Sequence, residues 1–357
     1  EGWLIAAAGN PPEYNKSVRE FDIVTLDRVR RMDIEADLGV WMEYAWKKEI
    51  HGSILAYLGM KKDHFYSVEN TVDGKFFVTA RGWEDLSEIL KAYEELGVEI
   101  TENLIGEYLC RDEIARSFFA SYQLYRKYGE DYGLKRLLSG EMAEEEQQKK
   151  VKMAEGASFE ERFLVTGLLL SGLNGSFLNY EKLDKETGAV YQELLHLKAF
   201  LHDKKDMTAL DEFTDVKKKS LAVRLEAELL NLEQQTTEEF VIRTLEEFSL
   251  TIRKEHITDT ETGFERIRQL FTEMVEKRKD CAKKISRELE RAFAFMKACF
   301  GDGQETVLFV TGLTRNSHAA AFIREYGCDP YFACSEKLLY RKQEKKLQEE
   351  CESLLKI

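Results

Sequence analysis

The chain has 357 residues, 43% hydrophobic and 33% charged, a length and balance that allow two or three domains with ample cores. Its 52 Lys and Arg against 66 Asp and Glu leave a net charge of −14, which excludes a nucleic-acid surface spread over the whole molecule. No apolar run approaches the roughly 20 residues of a membrane span, and no signal peptide is recognisable at the start, so a cytoplasmic protein without membrane contact is expected. The six cysteines (Cys110, Cys281, Cys299, Cys328, Cys334 and Cys351) never fall as CxxC, and no His stands at ligand spacing from them. They read as reduced thiols, and no metal site is expected. Only Pro11, Pro12 and Pro330 are proline, and the Glu-, Lys-, Leu- and Ala-rich stretch between them is expected to be helical.

In chain order, the apolar run Trp3 to Ala8 reads as a buried strand. Gly9-Asn10 ends it, and Pro11-Pro12 forbids both a continuing ladder and an immediate helix. Asn10 thereby stands where open α/β sheets place ligand-contacting groups. Thr25-Leu26-Asp27-Arg28 precedes a second strand over Val29 to Ile34. Asp37 caps a helix through about Leu58 that buries Trp41, Ala45 and Ile54, with Gly59 as its C′ glycine. Phe65–Glu69 and Phe76–Thr79 flank Val72-Asp73-Gly74-Lys75, a hairpin signal. A helix from Trp83 to Leu96 places Trp83, Leu86, Leu90 and Tyr93 on one stripe, and another runs from Thr101 to near Gly129.

Gly140 to Ser158 is strongly charged and flanked by glycines, and reads as an interdomain linker. Phe159 to Leu173 is a buried helix, ended by Gly172-Leu173-Asn174-Gly175. From Asp215 to Phe300, apolar residues at spacings of three and four mark two long segments. Leu221 to Ile252 forms one stripe and Phe264 to Phe300 the other, with a turn at His256 to Gly263. A long antiparallel hairpin with a coiled-coil-like seam follows. His196 and His202 are poorly spaced for one helical face, and Lys217-Lys218-Lys219 reads as a solvated helix start. In the tail, Thr306 to Val310 reads as a buried strand leading through Thr311–Ser317 into an alanine-rich helix. A closing helix spans Ser335 to Leu355.

Three of these stretches together resemble the second half of an AAA+ nucleotide-binding core of the MoxR-like, dynein-related kind. In that family an Asn written much like AAGNP closes the fourth strand as sensor 1, and Asn10 matches it. An LDR motif before the fifth strand supplies an arginine finger, and Arg28 matches that. Arg31 ranks second, and Arg30 also competes for the role. Thr79-Ala80-Arg81-Gly82-Trp83-Glu84 resembles the sensor 2 segment, usually closer to SPRTWE, with Ala80 and Gly82 as departures and Arg81 and Trp83 in place. The resemblance ends near residue 130. Each residue also has a plainer reading. Asn10 is then a turn former, Arg28 pairs with Asp27 or Glu20, and Arg81 pairs with Glu84 or Asp85.

No GxxxxGK[ST] and no acidic-tipped apolar strand occurs in the chain. In family order both lie upstream of sensor 1, so the chain reads as the C-terminal part of a longer ATPase, inactive alone. The expected fold is mainly α with small α/β parts. Residues 1–36 end the AAA+ αβα core, and 37–135 form the helical lid with a β-hairpin. Residues 136–158 form the linker, 159–300 the helical hairpin region, and 301–357 a small α/β tail. The resemblance implies ATP and Mg2+ as cofactors, with the Mg2+ ligands upstream. It also implies a homo-oligomeric ring, hexameric by family habit, that remodels a client, with von Willebrand A domain proteins as partners. A non-catalytic helical scaffold and an AAA+ nucleic-acid motor are the alternatives.

Overall fold

The computed structural model describes residues 6–9, 23–30, 32–71, 74–202, 204 and 206–337. The chain divides into two compact units, Glu1–Asp37 and Leu38–Ile357. In the first, a short helix α1 (Ile23–Arg28) is the regular element among the described residues. Residues 6–9 are irregular and exposed, so the described part of the expected first strand is not a strand. The described residues of the second expected strand, 29–30 and 32–34, are not strand either. Residues 32–37 carry no regular structure, and Met32 and Ile34 are 83% and 92% exposed. A strand is stable only in a ladder, and none of these residues has a strand partner among the described ones. Asn10 and Arg31 lie outside the described residues.

The second unit begins with two helices where one was expected, α2 (Leu38–Lys47) and α3 (Gly52–Met60). The chain breaks at Glu49, whose φ is +53°, and His51 then caps α3 by accepting from the Ser53 N–H. Gly59 lies inside α3, where an added Cβ would sit 3.0 Å from the Phe163 ring. It is a close-packing residue and not a helix end. Strands β1 (Ser67–Thr71) and β2 (Gly74–Val78) form the expected antiparallel hairpin, with Ser67 opposite Val78 and Thr71 opposite Gly74. Helix α4 (Ala80–Leu96) runs from its Thr79 cap to Gly97 at φ +67°, a left-handed C-cap that glycine adopts without steric cost. Helices α5 (Glu102–Tyr108) and α6 (Asp112–Tyr132) replace the single expected helix. Between them the Phe77 N–H donates to the Cys110 carbonyl at 3.2 Å, which ties the hairpin to the bend. These elements close over one core that includes Trp46, Ile54, Trp83, Leu86 and Phe118.

Next come α7 (Leu134–Ser139) and α8 (Glu144–Glu155). The charged stretch read as a linker thus contains a docked helix. Three glutamates occupy its first turn, where the helix dipole favours them. Arg136 grips Glu146 in two hydrogen bonds of 3.0 and 2.9 Å, and Ala154 is fully buried. Helix α9 (Phe159–Leu201) has 43 residues and runs straight through the glycines that were expected to end it. Mid-helix glycine is weakly unfavourable, but here it permits contact. A Cβ at Gly167 would lie 2.8 Å from Ala56 Cβ, and one at Gly172 would lie 2.9 Å from Leu138.

Helices α10 (Ala209–Glu226), α11 (Leu232–Lys254) and α12 (Thr260–Phe300, 41 residues) follow. The stripe from Leu221 to Ile252 is therefore two helices, broken where Glu228 adopts φ +52°. The long antiparallel partner of α12 is α9. Ser176 bonds Glu288 at 2.6 Å, Arg278 reaches the Tyr180 hydroxyl at 3.1 Å, and Tyr191 stacks on Phe271 at 6.0 Å. The expected strand at 306–310 belongs to a helix, α13 (Gln304–Arg315). Thr306, Phe309, Val310 and Leu313 are its buried side, a spacing of three and four that suits a helix and not a strand. Asn316 ends α13 and caps α14 (Ser317–Tyr326), and residues 329–337 are helical. From 304 to 337 the described tail is thus helical and not α/β. No described helix is long and apolar enough to cross a membrane.

Candidate functional site

The helix expected from Trp83 begins three residues earlier, at Ala80, so Arg81 lies in the first turn of α4 and not ahead of it. Thr79 fixes that turn, its hydroxyl accepting from the Gly82 N–H at 3.2 Å. Trp83, two residues on, is fully buried, donates through Nε1 to the Phe65 carbonyl at 3.1 Å, and meets Phe118 edge-on at 5.3 Å. Because Trp83 points into the core, Arg81 projects from the exposed side. The two departures from the family segment have local explanations. Ala80 is the first helical residue, where proline is tolerated because that N–H has no helical acceptor. At Gly82 a Cβ would sit 2.8 Å from the Tyr108 backbone carbonyl, so a larger residue would push α5 away.

Neither acidic neighbour neutralises Arg81. Glu84 accepts from the Tyr44 hydroxyl at 2.6 Å, and that bond, with burial and the carboxylate charge, pushes the Tyr44 pKa up to about 12. Among the described residues Arg81 makes no ion pair, and the first turn of α4 contains no acidic side chain. A cation there opposes the helix dipole. An exposed guanidinium beside unpaired N–H groups at a helix start is chemically suited to a phosphate.

Arg28 is exposed in the last turn of α1, where a cation is favoured by the helix dipole on its own account. Arg30 is also exposed, and neither arginine makes an ion pair among the described residues, so the expected pairing of Arg28 with Asp27 is not formed. Arg28 belongs to the first unit and Arg81 to the second. No group of three or more His, Cys, Asp or Glu able to hold a metal occurs among the described residues.

A polar network beneath α4 carries no signal in the sequence. The His51 N–H donates to Ser87 Oγ at 2.8 Å, and its Nδ1 accepts from the Ser53 N–H and lies 2.7 Å from Ser53 Oγ. With Nδ1 an acceptor, the proton sits on Nε2, which donates to Glu94 at 3.1 Å. Tyr122 donates to the other Glu94 oxygen at 2.8 Å. Burial opposes the Glu94 charge, but the bonds from His51 and Tyr122 outweigh it and hold the carboxyl below its usual range. A Ser–His–Glu chain of this kind suggests nucleophilic catalysis. Ser53 is 1% exposed, however, and a Cβ at neighbouring Gly52 would already collide with Ser171 Oγ, so no substrate reaches the hydroxyl. The network joins α3, α4 and α6. An open groove of about 270 Å³ between α10 and α11 carries both Lys218 and Arg243 against Glu239 and Glu246, with no convergent set of reactive groups.

No family model, curated protein or solved structure matches the chain. Among the described residues the protein is mostly helical, with one two-stranded hairpin.

Proposed function

We propose that this chain carries the sensor, finger and lid portion of a MoxR-like AAA+ ATPase that works as a homo-oligomeric ring and remodels a client protein. The observation that carries the reading is Arg81. It is exposed and without an ion pair among the described residues, at the start of a helix whose next residue but one, Trp83, is locked in the lid core. A cation placed against the helix dipole calls for an anion. ATP bound with Mg2+ supplies the phosphoanhydride whose hydrolysis drives the cycle, and the phosphate-binding loop and Mg2+ carboxylates come from outside these residues. Arg81 reads the phosphate charge from the lid. Asn10, through its amide, orients water or bonds the terminal phosphate, and Arg28 reaches the nucleotide of a neighbouring subunit.

The test is ATP turnover by the full-length protein that contains these residues, beside Asn10→Ala, Arg28→Ala and Arg81→Ala. Loss of an oriented donor at Asn10 lowers turnover by about 10²–10³. Loss of a finger lowers it by about 10³–10⁵. An Arg28→Ala subunit regains activity when mixed with one whose own phosphate loop is disabled, because finger and nucleotide sit on different chains. Assembly without turnover in the unsubstituted protein would defeat this reading and leave the helical scaffold as the function.

A further inference from the structure

We propose that α9 fuses the lid to a rigid arm, so that a nucleotide-driven rotation of the lid is delivered as a displacement at the arm's far end. The inference rests on the ATPase reading for what turns the lid. The joint itself rests on packing alone. Helix α9 is continuous for 43 residues and takes part in the contacts of both ends of the second unit. Its first third is pressed onto the lid. Gly167 passes so close to α3 that a Cβ would be 2.8 Å from Ala56, and Phe163 closes on Gly59 in the same way. Asn174, 6% exposed, donates to the Trp46 carbonyl at the end of α2 at 3.5 Å, and its own oxygen accepts from Asn316 at 2.6 Å. Those three residues join α2, α9 and the start of α14 in one buried chain of hydrogen bonds.

The last third of α9 belongs to a different core, in which Leu194, Leu197 and Leu201 pack with Leu245, Phe248 and Ile267. From Asn174 to Leu201 the helix advances about 40 Å at 1.5 Å per residue. A single helix of that length bends, but α12 lies antiparallel along it. Glu288 is held by Ser176, Asp184 by Arg278 at 2.5 Å, and Phe271 by Tyr191. These contacts recur along the whole span between the two cores. Two braced helices with interdigitated side chains resist bending as packed cores do, because displacement opens voids. A rotation of about 15°, the size of known subunit rotations, moves a point about 40 Å from its pivot by about 10 Å. Residues 254–260, where α11 turns into α12, lie at that far end.

The experiment places fluorophores on unnatural amino acids in the full-length protein, at Glu95 on the lid, Lys254 at the arm's end and Met32 in the first unit. All three positions are exposed. Single-molecule energy transfer then reports the Glu95–Lys254 and Met32–Lys254 pairs with and without a non-hydrolysable ATP analogue, with analogue binding measured separately. The expected result is a narrow Glu95–Lys254 distribution that the analogue leaves in place, beside a Met32–Lys254 distribution that it shifts. In Gly167→Leu, which forces α9 off α3, the first distribution broadens. A Glu95–Lys254 distribution that is broad or moves with nucleotide in the unsubstituted protein overturns the rigid joint. Bound analogue with no shift in either pair overturns the delivery of motion. Failure of the analogue to bind at all counts against the ATPase reading, and the Glu95–Lys254 width still decides the joint.

Discussion

Replacing Trp83 by Phe separates the anchoring of α4 from the chemistry of Arg81. The indole is fully buried between Tyr57 and Phe118, and its Nε1 is a hydrogen-bond donor to the Phe65 carbonyl at 3.1 Å. Phenylalanine keeps most of the ring contact but removes that donor, leaving a carbonyl on a residue that is itself 4% exposed. An orphaned buried acceptor costs about 1–3 kcal/mol. The smaller ring leaves a void on the order of 40 Å³, which at about 24 cal/mol per Å³ adds about 1 kcal/mol. The expected loss is therefore about 2–4 kcal/mol of unfolding free energy, read from urea titrations followed by far-UV circular dichroism at unchanged slope. Arg81→Ala, on the exposed side of the same turn, stays within about 0.5 kcal/mol of the parent. A Trp83→Phe protein as stable as the parent would refute the anchoring argument. So would an Arg81→Ala protein destabilised as much as Trp83→Phe.

Glu94 is held ionised by His51 and Tyr122 against its burial, so its folded pKa lies below the unfolded one. Its contribution to stability is present above the unfolded pKa and is lost as pH falls through the folded one. Glu94→Gln should flatten the acid limb of a stability–pH curve, and an unchanged limb would show that the network carries no such linkage. Glycine substitutions along α9 should split by sign. Gly188→Ala, with no atom near its Cβ position, gains about 0.5–1 kcal/mol, whereas Gly167→Ala, facing Ala56, loses about 1–3 kcal/mol. Thermal melts of the pair decide it, and equal shifts would mean that α9 does not sit tightly on α3. Asn316→Ala removes the α14 cap and strands the Asn174 oxygen, for a loss of about 2–4 kcal/mol. Adding Asn174→Leu should recover part of that loss, and strict additivity of the two would refute their coupling.

What the sequence by itself determined was local. The scarcity of proline and the wealth of Glu, Lys and Leu made the described chain from Leu38 to Lys337 helical apart from the hairpin. The start at Thr101 and the end at Leu96 are helix boundaries that the structure keeps, since a cap acts within one turn of itself, whereas the start expected at Trp83 moved back to Ala80. The hairpin of β1 and β2 was legible for the same reason, in the alternation and turn residues that flank it. The exposure of Arg81 followed from Trp83 being apolar two residues on, which is again a property of one turn.

Tertiary structure decided the rest. Whether Gly172 ended a helix could not be read from α9, because the answer lies in how closely Leu138 approaches it. The partner of α12 was likewise undetermined. An apolar stripe states that a helix is buried on one side but not against which neighbour, and α9 took the place expected of the Leu221–Ile252 segment. The run 306–310 looked like a strand by its β-branched residues, yet its burial follows the helical period once α9 and α14 surround it. The His51–Glu94–Tyr122 network joins residues 43 and 28 positions apart, and no spacing rule connects such positions before the chain has folded.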